Sequence, residues 1–120
     1  MKISDVASQC GLSIHTIRYY EEIGICPAIC RGFDGNRCFS AENLEWLTLL
    51  AALRDTGMPI EKMKRFAALY KQGDDAVLER KQLLQEHQAA LDIQEKQLDQ
   101  CKALVLKKLS IYDDMLGRKP

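Results

Sequence analysis

A column of apolar residues in the C-terminal half repeats every seven positions: Val77, Leu84, Leu91, Leu98, Val105 and Tyr112. Leu83, Ala90, Leu104 and Ile111 lie immediately beside it. From residue 75 to 114 there is neither Gly nor Pro, and the composition is rich in Lys, Glu, Gln and Leu. That pattern predicts one uninterrupted helix, on the order of 60 Å long from Asp75 to Asp114. In a chain of 120 residues, a small N-terminal domain cannot cover such a stripe. The expected cover is a second copy of the chain, in an antiparallel two-stranded coiled coil. Its seam is predicted to hold Leu84, Leu91, Leu98, Val105 and Tyr112. The neighbouring column (His87, Gln94, Cys101, Lys108) is polar or small, so the seam is weaker than an ideal zipper.

What precedes the heptads reads as short helices and turns. Ser4 is expected to cap a helix ending near Gln9; Gly11 supplies a tight turn, and Ser13 caps a second helix. Ile3, Val6, Ala7, Leu12, Ile14 and Ile17 are spaced as two small apolar faces meeting at an angle, the grammar of a helix-turn-helix. Residues 25 to 40 hold "AICRGF" and "NRCFS" around the turn signal "DGN", which predicts a small hairpin, or wing. From Ser40 to about Tyr70 a Leu44–Leu47–Leu50–Ala51–Leu53 stripe, with Trp46 beside it, is broken by "DTGMP" and followed by a second amphipathic helix. Gly57 suits the position after the first helix and Pro59 the first turn of the next. The expected fold is therefore mainly α: a winged helix-turn-helix, a helical hairpin and a long dimerisation helix. Residues 1–72 are expected to form the first domain and residues 73–120 the coiled-coil helix with a short tail.

The stretch "SIHTIRYYEEIGI" carries the chemistry. With Ile14 and Ile17 turned inward, the opposite face presents His15, Thr16, Tyr19 and the flank of Arg18. A guanidinium offers a forked donor to phosphate oxygens, and a tyrosine hydroxyl can bond a phosphate while its ring packs on sugar. His15 and Thr16 sit early in the helix, where helix-turn-helix proteins reach base edges. The alternative is a plain soluble helix, with core tyrosines and an Arg18–Glu22 pair at i,i+4. The Gly turn before it and the hairpin after it favour DNA. Net charge does not, since 17 basic residues face 17 acidic ones. Attraction to phosphate must then come from placement, not from a bulk positive field.

"KISDVASQCGLSIHTIRYYEEIGICP", then "GNRCFSAENLEWLTLLAALRDTGMPIEKMKRF", then a heptad helix, resembles the MerR family of bacterial transcription regulators over nearly the whole chain. The resemblance implies a winged-helix dimer on a pseudo-palindromic promoter. There it would bend and untwist an over-long spacer so that RNA polymerase engages both promoter elements, in response to a signal. Residue by residue, it implies that Arg18, Tyr19 and Arg37 hold phosphates and that His15 and Thr16 touch bases. Tyr20 matches the second tyrosine and is counted with these DNA-binding residues, with packing its expected role. Phe39 stands where the wing often has tyrosine. Within the family the chain looks like the aldehyde- and stress-responsive branch, but Ala52 occupies the place of that branch's usual cysteine.

Other classes find little support in the residues. No nucleophile–base pair, phosphate loop or paired-carboxylate pattern suggests an enzyme, so no catalytic residue is named. Five cysteines without a CxxC pair, and only His87 and Cys101 in the distal half, argue against a disulfide framework, a metal site or any other cofactor. Cys10, Cys26, Cys30 and Cys38 remain candidates for thiol sensing, with buried packing or chance the favoured reading for each. No apolar run suggests a membrane span, no export signal is apparent, and no separate ligand-binding domain is expected; the expected location is the cytoplasm. The competing reading is a coiled-coil dimeric adaptor whose winged helix docks protein.

Overall fold

The computed structural model describes residues 1–26, 29 and 31–118. Among the described residues five α-helices follow in order: α1 (Ile3–Cys10), α2 (Ile14–Glu22), α3 (Ala41–Asp55), α4 (Ile60–Lys71) and α5 (Val77–Gly117), with a 3-10 turn at Gly73–Ala76 before α5. Contacts divide the chain into two compact units, the first Met1–Leu84 and the second beginning at Gln85.

Local chemistry sets most of the helix ends. Ser13 caps α2 by accepting from the Thr16 backbone N–H at 3.0 Å. Ser40 and Asn43 form a reciprocal capping box at the start of α3 (3.1 and 2.9 Å), satisfying two backbone donors that the first turn otherwise leaves open. The break at "DTGMP" forms as expected, with the Met58 N–H returning to the Leu53 carbonyl at 2.9 Å. Two expectations move. Ser4 is not the cap of α1: Lys2 occupies that position, with no side-chain cap, and its carbonyl accepts from Val6 N–H at 3.1 Å. Pro59 sits one residue before the first residue of α4, at its N-cap.

The core of the first unit closes where α1, α2, α3 and α4 converge. Val6, Ile17, Leu47 and Leu50 are fully buried, and Leu12, Ile25, Phe39, Met58 and Met63 pack into the same cluster. Trp46 stacks on Phe66 with ring centroids 5.3 Å apart and lies 4.7 Å from Tyr70. Its indole N–H donates to the Ile25 carbonyl at 2.9 Å. The chain leaving α2 is thereby fastened to α3.

The wing links α2 to α3. Among the described residues its two arms meet in one antiparallel bridge, Arg31 with Arg37, and not in a ladder of strands. Part of the first predicted arm (Pro27, Ala28, Cys30) lies outside the described residues. The second arm is instead pinned at its far end, where Phe39 N–H donates to the Met1 carbonyl (2.8 Å) and the Met1 amino group to the Phe39 carbonyl (2.9 Å).

In the second unit α5 continues as one helix without a break. Leu91, Leu98, Val105 and Tyr112 are 37%, 62%, 50% and 49% exposed, so the heptad column lies open along it. His87, in the neighbouring column, is buried.

Candidate nucleic-acid interface

The helix α2 separates its residues by the 100° step between neighbours. Ile17 and Tyr20 point into the core, at 0% and 3% exposure. His15, Arg18, Tyr19 and Glu22 are exposed, and Thr16 is half-buried. Arg18, Tyr19 and Tyr20 are thus adjacent in sequence but divided between two faces. The ring of Tyr20, expected among the DNA-binding residues but in a packing role, is buried and lies 6.2 Å from the ring of Tyr19. The Thr16 hydroxyl accepts from the Ser13 hydroxyl at 2.8 Å, which orients it at the start of the helix.

The end of α2 is set by Gly24 at φ +82°, a left-handed conformation that side chains other than glycine adopt at a cost. The turn returns the Ile25 and Cys26 N–H groups to the Tyr20 carbonyl at 2.9 and 3.0 Å. Lys71, at the end of α4, donates to the Gly24 carbonyl at 3.0 Å. Both ends of α2 are therefore fixed, and the exposed face cannot rotate without breaking caps or core contacts.

Arg37 reaches α2 from the wing. Its Nε donates to the Glu21 carboxylate at 2.6 Å, with both side chains largely buried (23% and 22% exposed). This pair ties the wing to the late part of α2 and neutralises a carboxylate that would otherwise repel phosphate. Around it, a cavity of about 250 Å³ is lined by Lys2, Arg18, Arg31 and Arg37, together with Ser4 and Asn36. Four cations line this cleft with no carboxylate among its described lining residues. Two of them, Lys2 and Arg31, were not singled out in the sequence. A usable signal existed for Arg31, which sits across the "DGN" turn from Arg37. Nothing local pointed to Lys2, which arrives through the fold of α1 against the wing.

The wing turn is braced internally. Gly35 takes φ +78°, Gly32 N–H donates to the Asn36 carbonyl (2.8 Å), and Arg31 Nη1 donates to the Gly35 carbonyl (2.9 Å). The Asp34 carboxylate accepts from the Asn36 backbone N–H at 3.0 Å and from its amide at 3.2 Å. These bonds hold the Asp34 carboxyl below the usual carboxylate range.

The cysteines separate by environment. Cys10 and Cys26 are buried, Cys38 and Cys101 are exposed, and Cys30 lies outside the described residues. Burial, reinforced by the nearby Glu21 carboxylate, pushes the Cys26 thiol up to about 12. Thiolate is the reactive form, so Cys26 is inert near neutrality. We expect Cys38 and Cys101 to react with a disulfide reagent at pH 8 while Cys26 reacts only after unfolding; labelling followed by peptide mass spectrometry reads this directly. Because its proton is held more tightly in the folded state, Cys26 contributes stability that is complete below its unfolded value of about 9 and is lost as pH rises towards 12. Denaturation of wild type and Cys26→Ala should show a steeper decline above pH 9 for the wild type. Ala52, at the place of the aldehyde branch's cysteine, is exposed on α3. No cluster of three or more His, Cys, Asp or Glu side chains suited to a metal ion occurs among the described residues. Among them, too, no helix is long and apolar enough to cross a membrane.

Comparison with known proteins agrees with this geometry. Residues 1–69 match the family described as MerR HTH family regulatory protein, and residues 44–106 match the family described as MerR, DNA binding. An uncharacterized HTH-type transcriptional regulator of Haemophilus influenzae is 36% identical over 106 residues, covering 88% of this chain and 78% of that protein. The HTH-type transcriptional regulator AdhR of Bacillus subtilis is 34% identical over 91 residues, covering 76% of this chain and 65% of that protein. Among solved structures, HiNmlR, a MerR family regulator lacking the sensor domain and bound to promoter DNA, superposes with a TM-score of 0.86 at 32% identity, covering 98% of this chain and 93% of that one. A helix-turn-helix with a cation-lined wing cleft, joined to a long heptad helix and matched across these relatives, makes the chain a member of the MerR family of DNA-binding transcription regulators.

Proposed function

We propose that two copies of this chain, paired through α5, bind a pseudo-palindromic promoter in the cytoplasm and distort its spacer so that RNA polymerase engages both promoter elements. The observation that carries the DNA-facing part is the cleft of Lys2, Arg18, Arg31 and Arg37 beside the exposed face of α2, in a chain whose net charge is zero. Cations gathered on one face of a neutral protein mark where phosphates sit. Arg18, Tyr19 and Arg37 hold the backbone, His15 and Thr16 reach base edges, and Tyr20 acts by supporting Tyr19. Support for the pairing comes from the open heptad column of α5, which is self-complementary at a period of seven. A relative of similar length is seen on promoter DNA. Bending and untwisting a site costs about 1–6 kcal/mol in DNA stiffness, which the phosphate contacts of both copies offset.

The test is fluorescence anisotropy with duplexes from the gene's own upstream region across a salt series. Binding should be strong at low salt and fall linearly in log–log form as salt rises, because releasing counterions from the DNA becomes less favourable. A full site should bind far more tightly than a half site in gel shifts. Absence of binding to every such duplex at low salt would overturn the reading.

A further inference from the structure

Phe33 stands at the apex of the wing with its side chain wholly in water, at 115% of the reference exposure. An aromatic ring leaves about 150–250 Å² of mostly apolar surface exposed when nothing covers it. The turn that carries it is braced on both sides, by the Gly32–Asn36 bond (2.8 Å), the Gly35–Gly32 bond (3.0 Å) and the Arg31 guanidinium on the Gly35 carbonyl (2.9 Å). The adjacent carboxylate, Asp34, is folded onto Asn36 at 3.0 and 3.2 Å and so points back into the turn. Phe33 also borders a shallow cavity of about 530 Å³ lined by Lys2 and Arg37, two of the cations of the cleft, together with Asp5 and Asp34. A rigid apolar tip is thus held beside groups that bind phosphate.

We propose that Phe33 is a minor-groove probe. Resting on the reading that the cleft holds the DNA backbone, the inference is that the cations seat the wing along a strand and the ring enters the neighbouring minor groove against its sugar wall. There it favours a base step that unstacks easily over a stiff one. Apolar side chains inserted in this way reward flexible pyrimidine–purine steps and penalise A-tracts. The residue would therefore set sequence preference through deformability, at base pairs that make no hydrogen bond to the protein. A protein surface as the target of Phe33 is disfavoured, because Lys2 and Arg37 line both the cavity beside the ring and the carboxylate-free cleft.

The experiment compares wild type, Phe33→Leu and Phe33→Ala on operators that differ only in the step beneath the wing, located by footprinting. 2-Aminopurine at that step reports unstacking. Wild type should prefer the flexible step by about tenfold and brighten the probe. Phe33→Ala should lose the preference and the brightening with an unchanged salt slope, since no charge is removed; Phe33→Leu should keep part of both. Equal affinity, step preference and probe signal in wild type and Phe33→Ala would overturn the proposal while leaving the DNA reading intact. So would a Phe33→Ala protein that binds normally but fails to activate a reconstituted polymerase, because the ring would then face protein. Failure of wild type to bind any duplex would instead be a failure of the DNA reading itself.

Discussion

Leu91→Asp is expected to convert the protein to a monomer and to remove full-site binding. Leu91 lies mid-column on α5, flanked at seven-residue spacing by Leu84 and Leu98, and is 37% exposed in the single chain. In an antiparallel pair centred near Gln94 it falls close to the twofold axis, so each substitution is felt twice within a short stretch of seam. Covering a leucine contributes about 1.5–3 kcal/mol, and an unpaired carboxylate in the same place costs several kcal/mol more. Doubled by symmetry, the loss exceeds what a seam diluted by Gln94, Cys101 and Lys108 can absorb. Sedimentation equilibrium should show the mutant at half the wild-type mass, and gel shifts should show only weak half-site complexes. The substitution lies in the second unit, so the near-ultraviolet dichroism and fluorescence of Trp46, which packs on Phe66 in the first, provide the control for folding. An intact mutant dimer would reject this seam.

Arg18→Ala should weaken binding to all duplexes alike. Arg18 is exposed at the centre of α2 and lines the cationic cleft with Lys2, Arg31 and Arg37. Arg37 already commits its Nε to Glu21, which leaves less of its guanidinium for DNA. A phosphate contact carries no base preference, so operator and unrelated DNA should lose similar factors. The slope of log affinity against log salt should fall by about one unit per binding helix. Anisotropy titrations at several salt concentrations measure both quantities. An unchanged slope would remove Arg18 from the backbone contact. A loss confined to one operator sequence would make it a base reader instead.

The two variants also show which parts of the protein could be read along the chain. The long helix was legible because a period of seven over residues 77–112 with no Gly or Pro has few other solutions. The caps at Ser13 and Ser40 and the break at Gly57 were legible because each depends on residues within four positions of it. The wing was less so. Its turn was visible in "DGN", but the extent of strand pairing depends on what the arms pack against, and among the described residues a single bridge forms. At Ser4 a good capping residue loses to Lys2, because α1 begins where the chain leaves Phe39, not where the best cap lies. Tyr19 and Tyr20 look equivalent in the sequence; one helical step apart, the core takes one and water the other.

The sequence by itself determined the order of helices, most of their ends, the open apolar stripe of α5 and the inward face of α2, since these follow from periodicity and from hydrogen bonds between near neighbours. Only the tertiary structure decided which charges meet. Lys2, Arg18, Arg31 and Arg37 are separated by as many as 35 positions, and Glu21 is matched with Arg37 rather than with a helical neighbour. Coulombic partners are set by distance through space, and that distance exists only once α1, α2 and the wing have packed on a shared core.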